Sequence, residues 1–148
     1  MDSRILKLRE YLFNVINTLT TNRNYQINAN MLSDKIDDYS LDKIPTNQVE
    51  KPWIIGTGTY KDIYSFRGRK TFSTNAQINL DTMNFFEQFE DLIENNNRNK
   101  ILPSIDGIEK IECLNPGTMR LNNDGKSAEF DIQIQITYRK IKKNIISL

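Results

Sequence analysis

The chain has 148 residues, of which 38% are hydrophobic and 26% charged, proportions that are typical of one soluble globular domain. Its 20 Lys and Arg residues and 19 Asp and Glu residues give a formal net charge of +1, so no net basic field draws it to nucleic acid or membrane surfaces. Histidine is absent and Cys113 is the only cysteine, which excludes histidine-dependent catalysis, cysteine–histidine zinc sites and an intramolecular disulfide.

The first predicted element is a helix over residues 3–20, with Asp2 or Ser3 as its cap. Its apolar residues recur at helical spacing: Ile5, Leu8, Leu12, Val15, Ile16 and Leu19. The polar run at 20–24 ends this helix. Tyr25, Ile27 and Ala29 alternate with polar residues, which leaves a short strand open, and residues 33–38 are typical of a polar turn.

The segment Tyr39–Thr46 combines a proline, aliphatic residues and opposite charges without a helical or strand period. This composition predicts a fixed, extended stretch on the surface, since a residue that precedes proline, here Ile44, is pushed toward extended conformations. A strand over 49–55 is possible, but Pro52 restricts it to a sheet edge or to a strand start.

Residues 59–72 are predicted to form an aromatic-rich strand, in which Gly68 could mark a bulge. A second helix is predicted over 79–96. Four carboxylates line the side opposite its apolar stripe: Glu87, Glu90, Asp91 and Glu94. Without partner ligands at recognisable spacing, this side is better explained as a solvated or subunit-facing surface than as a metal or acid/base cluster.

The last third of the chain is predicted to be β-structure, with a strand over 108–114 and a hairpin turn at Asn122–Gly125. The strand over 128–139 alternates strictly between apolar and polar residues, so one face covers a core and the other is wet or at a polar interface. The order of elements predicts an α+β fold, in which a mostly antiparallel sheet carries two helices on one face. We expect a single domain over 1–148, with 140–148 as a flexible or interface tail.

These patterns contain no catalytic constellation, so we expect neither an enzyme nor a bound cofactor or metal. Cys113 stands among apolar neighbours and is better explained as an inert core residue than as a reactive thiol. The N-terminus has no apolar signal core, and no stretch approaches the roughly 20 apolar residues of a membrane span. We therefore expect a protein that stays in a cytoplasm, or in a particle assembled there, and that has no membrane partner.

Several segments resemble, in order and spacing, those of the bacteriophage minor capsid or tail terminator family of lambda-type fold. The matching segments are Tyr39–Thr46, Tyr60–Phe72, Asn84–Phe89, Leu102–Pro103, Gly117 and Asp131–Tyr138. The resemblance runs from about residue 36 to 139. Two features depart from the family pattern, namely Pro52 and the longer, more basic end at Arg139–Leu148, and both bear on contacts near the tail tube or with neighbouring subunits.

The resemblance implies a structural protein of the virion, or of a phage tail-like particle, assembled in a bacterial cytoplasm. Such proteins form a ring, typically a hexamer, that caps the tail tube, stops its polymerisation and presents a joining surface to the head. The implied partners are further copies of the chain, the tail tube protein, the head–tail connector and, if the tail is contractile, the sheath protein. DNA would only pass through the ring lumen.

A closed ring needs two complementary patches on each subunit. The candidates are the segment Tyr39–Trp53 and the polar face of the last strand. The predicted interface residues are Tyr39, Leu41, Ile44, Pro45, Trp53, Arg67, Arg69, Gln133, Gln135 and Arg139. Two alternatives remain open: a head-completion or neck protein of the same particle, and a nucleic-acid-binding module that uses Arg67, Arg69 and Lys140–Lys143.

Overall fold

A computed structural model describes residues 3–45, 49–52, 57–71, 76–114, 118–122 and 125–141, in which two helices cover one face of a sheet. The elements in chain order are α1 (Arg4–Leu19), β1 (Ile27–Ala29), β2 (Tyr39–Ile44), β3 (Val49–Pro52), β4 (Thr57–Thr71), α2 (Ala76–Arg98), β5 (Ile108–Cys113), β6 (Thr118–Leu121) and β7 (Ser127–Ile141). The predicted α+β class is confirmed. Lys140 and Ile141, which were assigned to the predicted tail, belong to β7, and the rest of that tail, 142–148, lies outside the described residues.

The sheet is built around one long antiparallel pair, β4 and β7. Their register is unbroken from the pair Thr57 and Ile141 to the pair Thr71 and Ser127. The outer edge of β4 carries β2 and β3, and the outer edge of β7 carries β5 and β6. β1 adds to β2 as the one parallel pair among the described strands. The two long strands therefore set the position of every other strand.

The core lies between the helices and the inner face of this sheet. Leu8, Leu12 and Ile16 of α1 are fully buried, as their helical spacing predicted. Phe66 of β4 stacks between Tyr39 of β2, at a centroid distance of 5.3 Å, and Phe89 of α2, at 5.2 Å. Such aromatic stacking adds to the free energy gained from burial alone. It joins two strands and the second helix in one cluster.

The helix starts follow the expected chemistry only in part. α1 begins where predicted, because the Ser3 hydroxyl accepts a hydrogen bond of 3.2 Å from the Leu6 N–H. α2 begins at Ala76, three residues before the predicted start. It ends at Arg98, and Lys100 then adopts a left-handed conformation with φ 59°.

The prediction that Tyr39–Thr46 lacks regular structure is wrong, because Tyr39–Ile44 forms β2. The strand alternates in space, with Tyr39, Leu41 and Lys43 on the inner side and Ser40, Asp42 and Ile44 on the outer side. Lys43 hid this pattern, since a lysine stands at an inward position where its ammonium lies 3.8 Å from the Asp62 carboxylate.

The predicted bulge at Gly68 is also wrong, because Gly68 pairs regularly with both Tyr39 and Phe130. The absence of a side chain at position 68 is explained by packing. A Cβ atom at Gly68 would lie 3.0 Å from the ring of Tyr39, which covers the glycine. The glycine therefore makes room for an aromatic residue of the neighbouring strand.

Gly107 and Gly125 allow a matched test of backbone packing. Both have positive φ, 74° and 68°, but a Cβ at Gly107 would overlap the carbonyl oxygen of Arg139, whereas a Cβ at Gly125 would meet nothing within 4 Å. We expect Gly125→Ala to cost about 1 kcal/mol of unfolding free energy through backbone strain. Gly107→Ala should cost about 1–3 kcal/mol more through overpacking, measured by urea denaturation. Equal losses would contradict the close approach of Gly107 to β7.

Candidate functional site

The sheet has a polar face on the side opposite the two described helices, which we call the open face. Strand alternation places on it one of every two residues of the long strands and of their neighbours. Its members include Ser40, Asp42, Ile44, Thr59, Lys61, Ile63, Ser65, Arg67, Arg69, Lys110, Glu112, Thr118, Arg120, Glu129, Asp131, Gln133, Gln135, Thr137 and Arg139. The predicted polar face of the last strand is thus part of a surface that five strands share.

Opposite charges on the open face are paired across strands. Arg67 of β4 lies 2.7 Å from the Asp42 carboxylate of β2. Arg69 of β4 lies 3.3 Å from the Glu129 carboxylate of β7, whose other oxygen lies 2.7 Å from Arg120 of β6. These contacts form a ladder of charges across four strands, and we call it the charge ladder.

The charge ladder is electrically balanced. The Ser65 hydroxyl donates a 2.7 Å hydrogen bond to Asp131, which adds a third carboxylate to Asp42 and Glu129. Three arginines therefore face three carboxylates, and the formal charges cancel. An isolated exposed ion pair stabilises a fold by little, but Arg69 and Glu129 are only 11% and 15% exposed and belong to a network. This arrangement fixes the side chains of the ladder and cancels their formal charges, whereas Lys61 and Lys110 add positive charge to the open face beside the ladder.

Amide and hydroxyl groups occupy the part of the open face toward β5. Gln135 is buried and donates a 2.9 Å hydrogen bond to Glu112 of β5. Arg67 Nε and Thr137 Oγ1 are buried without a hydrogen-bond partner among the described residues. A buried polar group without a partner costs about 1–3 kcal/mol.

The structure brings together six of the predicted interface residues. Arg67, Arg69, Gln133, Gln135 and Arg139 lie on the open face, and Ile44 lies there beside Ile63. Exposure differs among them, since Gln135 is buried whereas Arg139 is exposed. Pro45 is exposed just beyond β2.

The prediction that Tyr39 and Leu41 are available to a partner is wrong. Each is 1% exposed, because the inward side of β2 packs under the helices. Burial and the electric field of nearby carboxylates, mainly Asp37, raise the pKa of the Tyr39 hydroxyl. Trp53, the last predicted contact residue, lies outside the described residues.

Sequence reasoning missed the acidic half of the charge ladder. Asp42, Glu129 and Asp131 neutralise the arginines that were predicted, and Arg120 extends the ladder to β6. The alternation of β7 placed Glu129 and Asp131 on the polar side, but the strand register that brings them opposite arginines cannot be read from one sequence. Opposite charges at outward positions of separate strands were the available signal.

A second polar cluster is buried on the inner face around Asp62, which is fully buried. Arg4 Nε of α1 lies 2.8 Å from its carboxylate, and the hydroxyls of Tyr138 and Tyr64 donate hydrogen bonds of 3.1 and 3.3 Å. Burial, assisted by the Asp62 charge, raises the pKa of Tyr138 to about 12. The phenol therefore stays protonated as a donor at neutral pH, and the cluster holds the start of α1 on the sheet.

Lys70 forms a third buried polar group at the other end of β4. Its ammonium donates hydrogen bonds to the Tyr39 hydroxyl at 2.7 Å and to Asp37 at 3.1 Å. It also lies 4.1 Å from the centre of the Phe85 ring. Burial lowers the pKa of Lys70, and the charge of Asp37 partly opposes this shift. These contacts join the start of β2 to α2.

Burial raises the pKa of the Cys113 thiol to about 12, so it carries little reactive thiolate at neutral pH. Within the described ranges, no group of three or more Cys, Asp or Glu side chains is arranged to hold a metal ion. None of the described helices is long and apolar enough to cross a membrane. The chain matches no protein-family model, and no curated protein has significant similarity to it.

Proposed function

We propose that this chain is a structural subunit of a phage tail that acts as a tail terminator. In this role, a ring of subunits caps the tail tube, stops its polymerisation and provides the surface that joins the head. The observation that carries the proposal is the open face, a broad polar surface on which arginines and carboxylates of neighbouring strands are paired with one another. The ordered series of segments that resemble tail terminator proteins, and the expected α+β class, support the same role.

The dimensions of the open face suit contact with a large partner. Fifteen-residue strands such as β4 and β7 extend about 45–50 Å, and neighbouring strands lie about 4.8 Å apart. Interfaces that form only at a late assembly step are about as polar as ordinary protein surface, so the free subunit stays soluble. A polar face with fixed charges therefore suits a subunit that meets its tube at the end of tail growth.

The charge ladder weighs against the nucleic-acid-binding alternative. That alternative needs arginines whose guanidinium groups are available to phosphates. Arg67 and Arg69 instead face Asp42 and Glu129, at 2.7 and 3.3 Å. Binding of these two arginines to phosphate would have to break these pairs, which favours a protein partner for this part of the face. Of the other basic residues of that alternative, Lys142 and Lys143 lie outside the described residues.

Tail length tests the proposal most directly. Tails assembled with and without this gene are measured by negative-stain electron microscopy. We expect over-long or headless tails in its absence, and normal lengths when the protein is added. Normal tails with unattached heads would assign the protein to the neck, and normal particles would overturn the structural proposal.

A charge exchange tests the open face itself. The double variant Asp42→Arg with Arg67→Asp keeps the ion pair but inverts its direction. Because a partly exposed pair contributes little, we expect a change in unfolding free energy below about 1 kcal/mol, together with failure to restore tail length. The matched control exchanges Lys7 and Glu10 on α1, a pair at 3.9 Å. Full restoration by the open-face variant would remove this face from the tube contact.

A further inference from the structure

The connection between β1 and β2 forms a strap at one end of the open face. We define the strap as residues 30–37. Its first and last residues, Asn30 and Asp37, both have a left-handed backbone conformation, with φ 57° and 67°. Asparagine and aspartate adopt this conformation more readily than most residues that carry a side chain. The strap therefore turns at both ends, and residues 31–36 form one short unit between the two turns.

Arg69 of β4 holds the strap to the sheet. Its Nε–H donates a 2.8 Å hydrogen bond to the carbonyl of Ser33, in the middle of the strap. Its backbone carbonyl accepts a 2.7 Å hydrogen bond from the Asp37 N–H, and its backbone N–H donates to the Asp38 carbonyl at 3.0 Å. The backbone bonds fix the end of the strap, whereas the bond to its middle comes from the Arg69 side chain.

Apolar burial contributes little to holding the middle of the strap. The hydrophobic core of the described residues contains no strap residue, and Met31 and Ile36 are exposed. Two further side-chain hydrogen bonds reach this part of the strap, from Ser33 to Asp38 at 2.6 Å and from Lys35 to Asn24 at 2.9 Å. Segments that bury few apolar side chains open locally at a lower free energy than core strands do. The strap is therefore a unit that can open while the sheet stays folded.

The arginine that holds the strap also belongs to the charge ladder. Arg69 Nη2 donates a 3.3 Å hydrogen bond to the Glu129 carboxylate, and its Nε–H is bonded to the neutral Ser33 carbonyl. A carboxylate can accept two parallel hydrogen bonds from the planar fork of a guanidinium, and it carries the opposite charge, whereas a carbonyl offers one neutral oxygen. A second carboxylate that approaches the open face can therefore compete with the Ser33 carbonyl for Arg69.

We propose that the strap is a lid at the Arg69 end of the open face, which opens when a carboxylate of a protein partner takes the Arg69 Nε–H from the Ser33 carbonyl. The partner is the tail tube, so the proposal rests on the proposed function and adds the surface group that is recognised. The lid turns about Asn30 and Asp37, and the backbone bonds of Arg69 keep β2 in register. Binding at the open face is then coupled to a change of conformation at the β1 edge of the sheet.

Hydrogen exchange in the isolated protein, followed by NMR, tests whether Arg69 holds the lid. Arg69→Lys keeps a positive charge beside Glu129 but lacks the fixed fork that also reaches the Ser33 carbonyl. The reporters are the amides of Lys35 and Asp38, which donate to Ser33 Oγ at 3.2 Å and to the Lys35 carbonyl at 3.3 Å. We expect both amides to exchange roughly tenfold to hundredfold faster in the variant, as the loss of one hydrogen bond to a charged group predicts.

Arg120→Lys is the matched control, because Arg120 also binds Glu129, at 2.7 Å, but lies on β6. It should leave the exchange of the strap amides unchanged. Equal acceleration by both variants, or none by Arg69→Lys, would overturn the lid. A second measurement needs no variant: in the unaltered protein, the Arg69 Nε–H and the Lys35 amide should have equal protection factors, because one opening exposes both. Unequal protection would also overturn the lid.

Isolated tail tubes test the partner. Tubes from tails assembled without this protein are added, and the strap amides should exchange faster in the bound protein. Tubes whose surface carboxylates have been blocked with glycinamide should not accelerate this exchange. Slower or unchanged exchange in the bound protein would show that the partner binds over a closed strap and would overturn the proposal. Tubes that do not bind, together with the expected Arg69→Lys result, would remove the terminator role and leave the lid in place.

Discussion

Replacing Asp62 by alanine is expected to lower the free energy of unfolding by about 2–6 kcal/mol, because two buried tyrosine hydroxyls lose their acceptor at a cost of about 1–3 kcal/mol each. Asp62 is fully buried, whereas Arg4 and Lys43 are 33% and 42% exposed at their side chains. The two cations can turn to solvent, but the hydroxyls of Tyr64 and Tyr138 lose their acceptor inside the core. The loss is measured by urea denaturation followed by circular dichroism.

Asp42→Ala is the matched control, because it also removes one carboxylate from an ion pair. The Asp42 side chain is 22% exposed and its partner Arg67 is 29% exposed, so we expect a loss of about 1 kcal/mol or less. Similar losses for the two variants would contradict the view that the Asp62 cluster, rather than the charge ladder, holds the fold together.

Phe66→Ala is expected to cost about 3–5 kcal/mol, the usual range for removing a fully buried phenylalanine ring. Phe66 is 0% exposed, and its ring is stacked on both sides, so the surrounding β2 and α2 cannot close the cavity without moving an aromatic residue. The variant leaves the open face chemically unchanged. Below its melting temperature, it should therefore still restore tail length.

Phe13→Ala provides the control for Phe66→Ala. Phe13 is only partly buried and lies 5.6 Å from the ring of Tyr25 at the margin of the core. Its truncation removes less apolar surface from the protein interior, so we expect a loss of about 1–2 kcal/mol. A loss as large as that of Phe66→Ala would show that the stack around Phe66 has no special weight.

The elements with a clean period were predictable from the sequence. β7 alternates over its whole length and α1 repeats its apolar residues at helical spacing, so both were predicted nearly to their ends. β2 was not predicted, because Lys43 occupies an inward position of this strand. Lys43 is stabilised there by Asp62, a residue 19 positions away in the chain. The parallel pairing of β1 with β2 also leaves no local signal, since it depends on contacts made after the chain folds.

The candidate site was predictable as a list of outward-facing residues but not as an arrangement. Gln133 and Gln135 were placed on a polar face by the alternation of the last strand, whereas Arg67 and Arg69 were predicted only as interface residues. Their carboxylate partners depend on the register of β4 against β7, which a single sequence does not specify. Tyr39 and Leu41 were misplaced for the opposite reason, since the proline after β2 suggested an irregular surface segment.

The pairing of β4 with β7 also determines when the fold can form. Ser65 bonds to Asp131 across 66 positions, so the centre of the sheet closes a loop that contains α2, β5 and β6. Contacts so distant in sequence are associated with slow folding. During translation, β4 has no β7 to pair with until the ribosome has synthesised Ser127–Ile141. During that interval one edge of β4 is unpaired and can pair with a wrong strand. We therefore expect the newly made chain to fold slowly or to bind chaperones when it is produced in quantity.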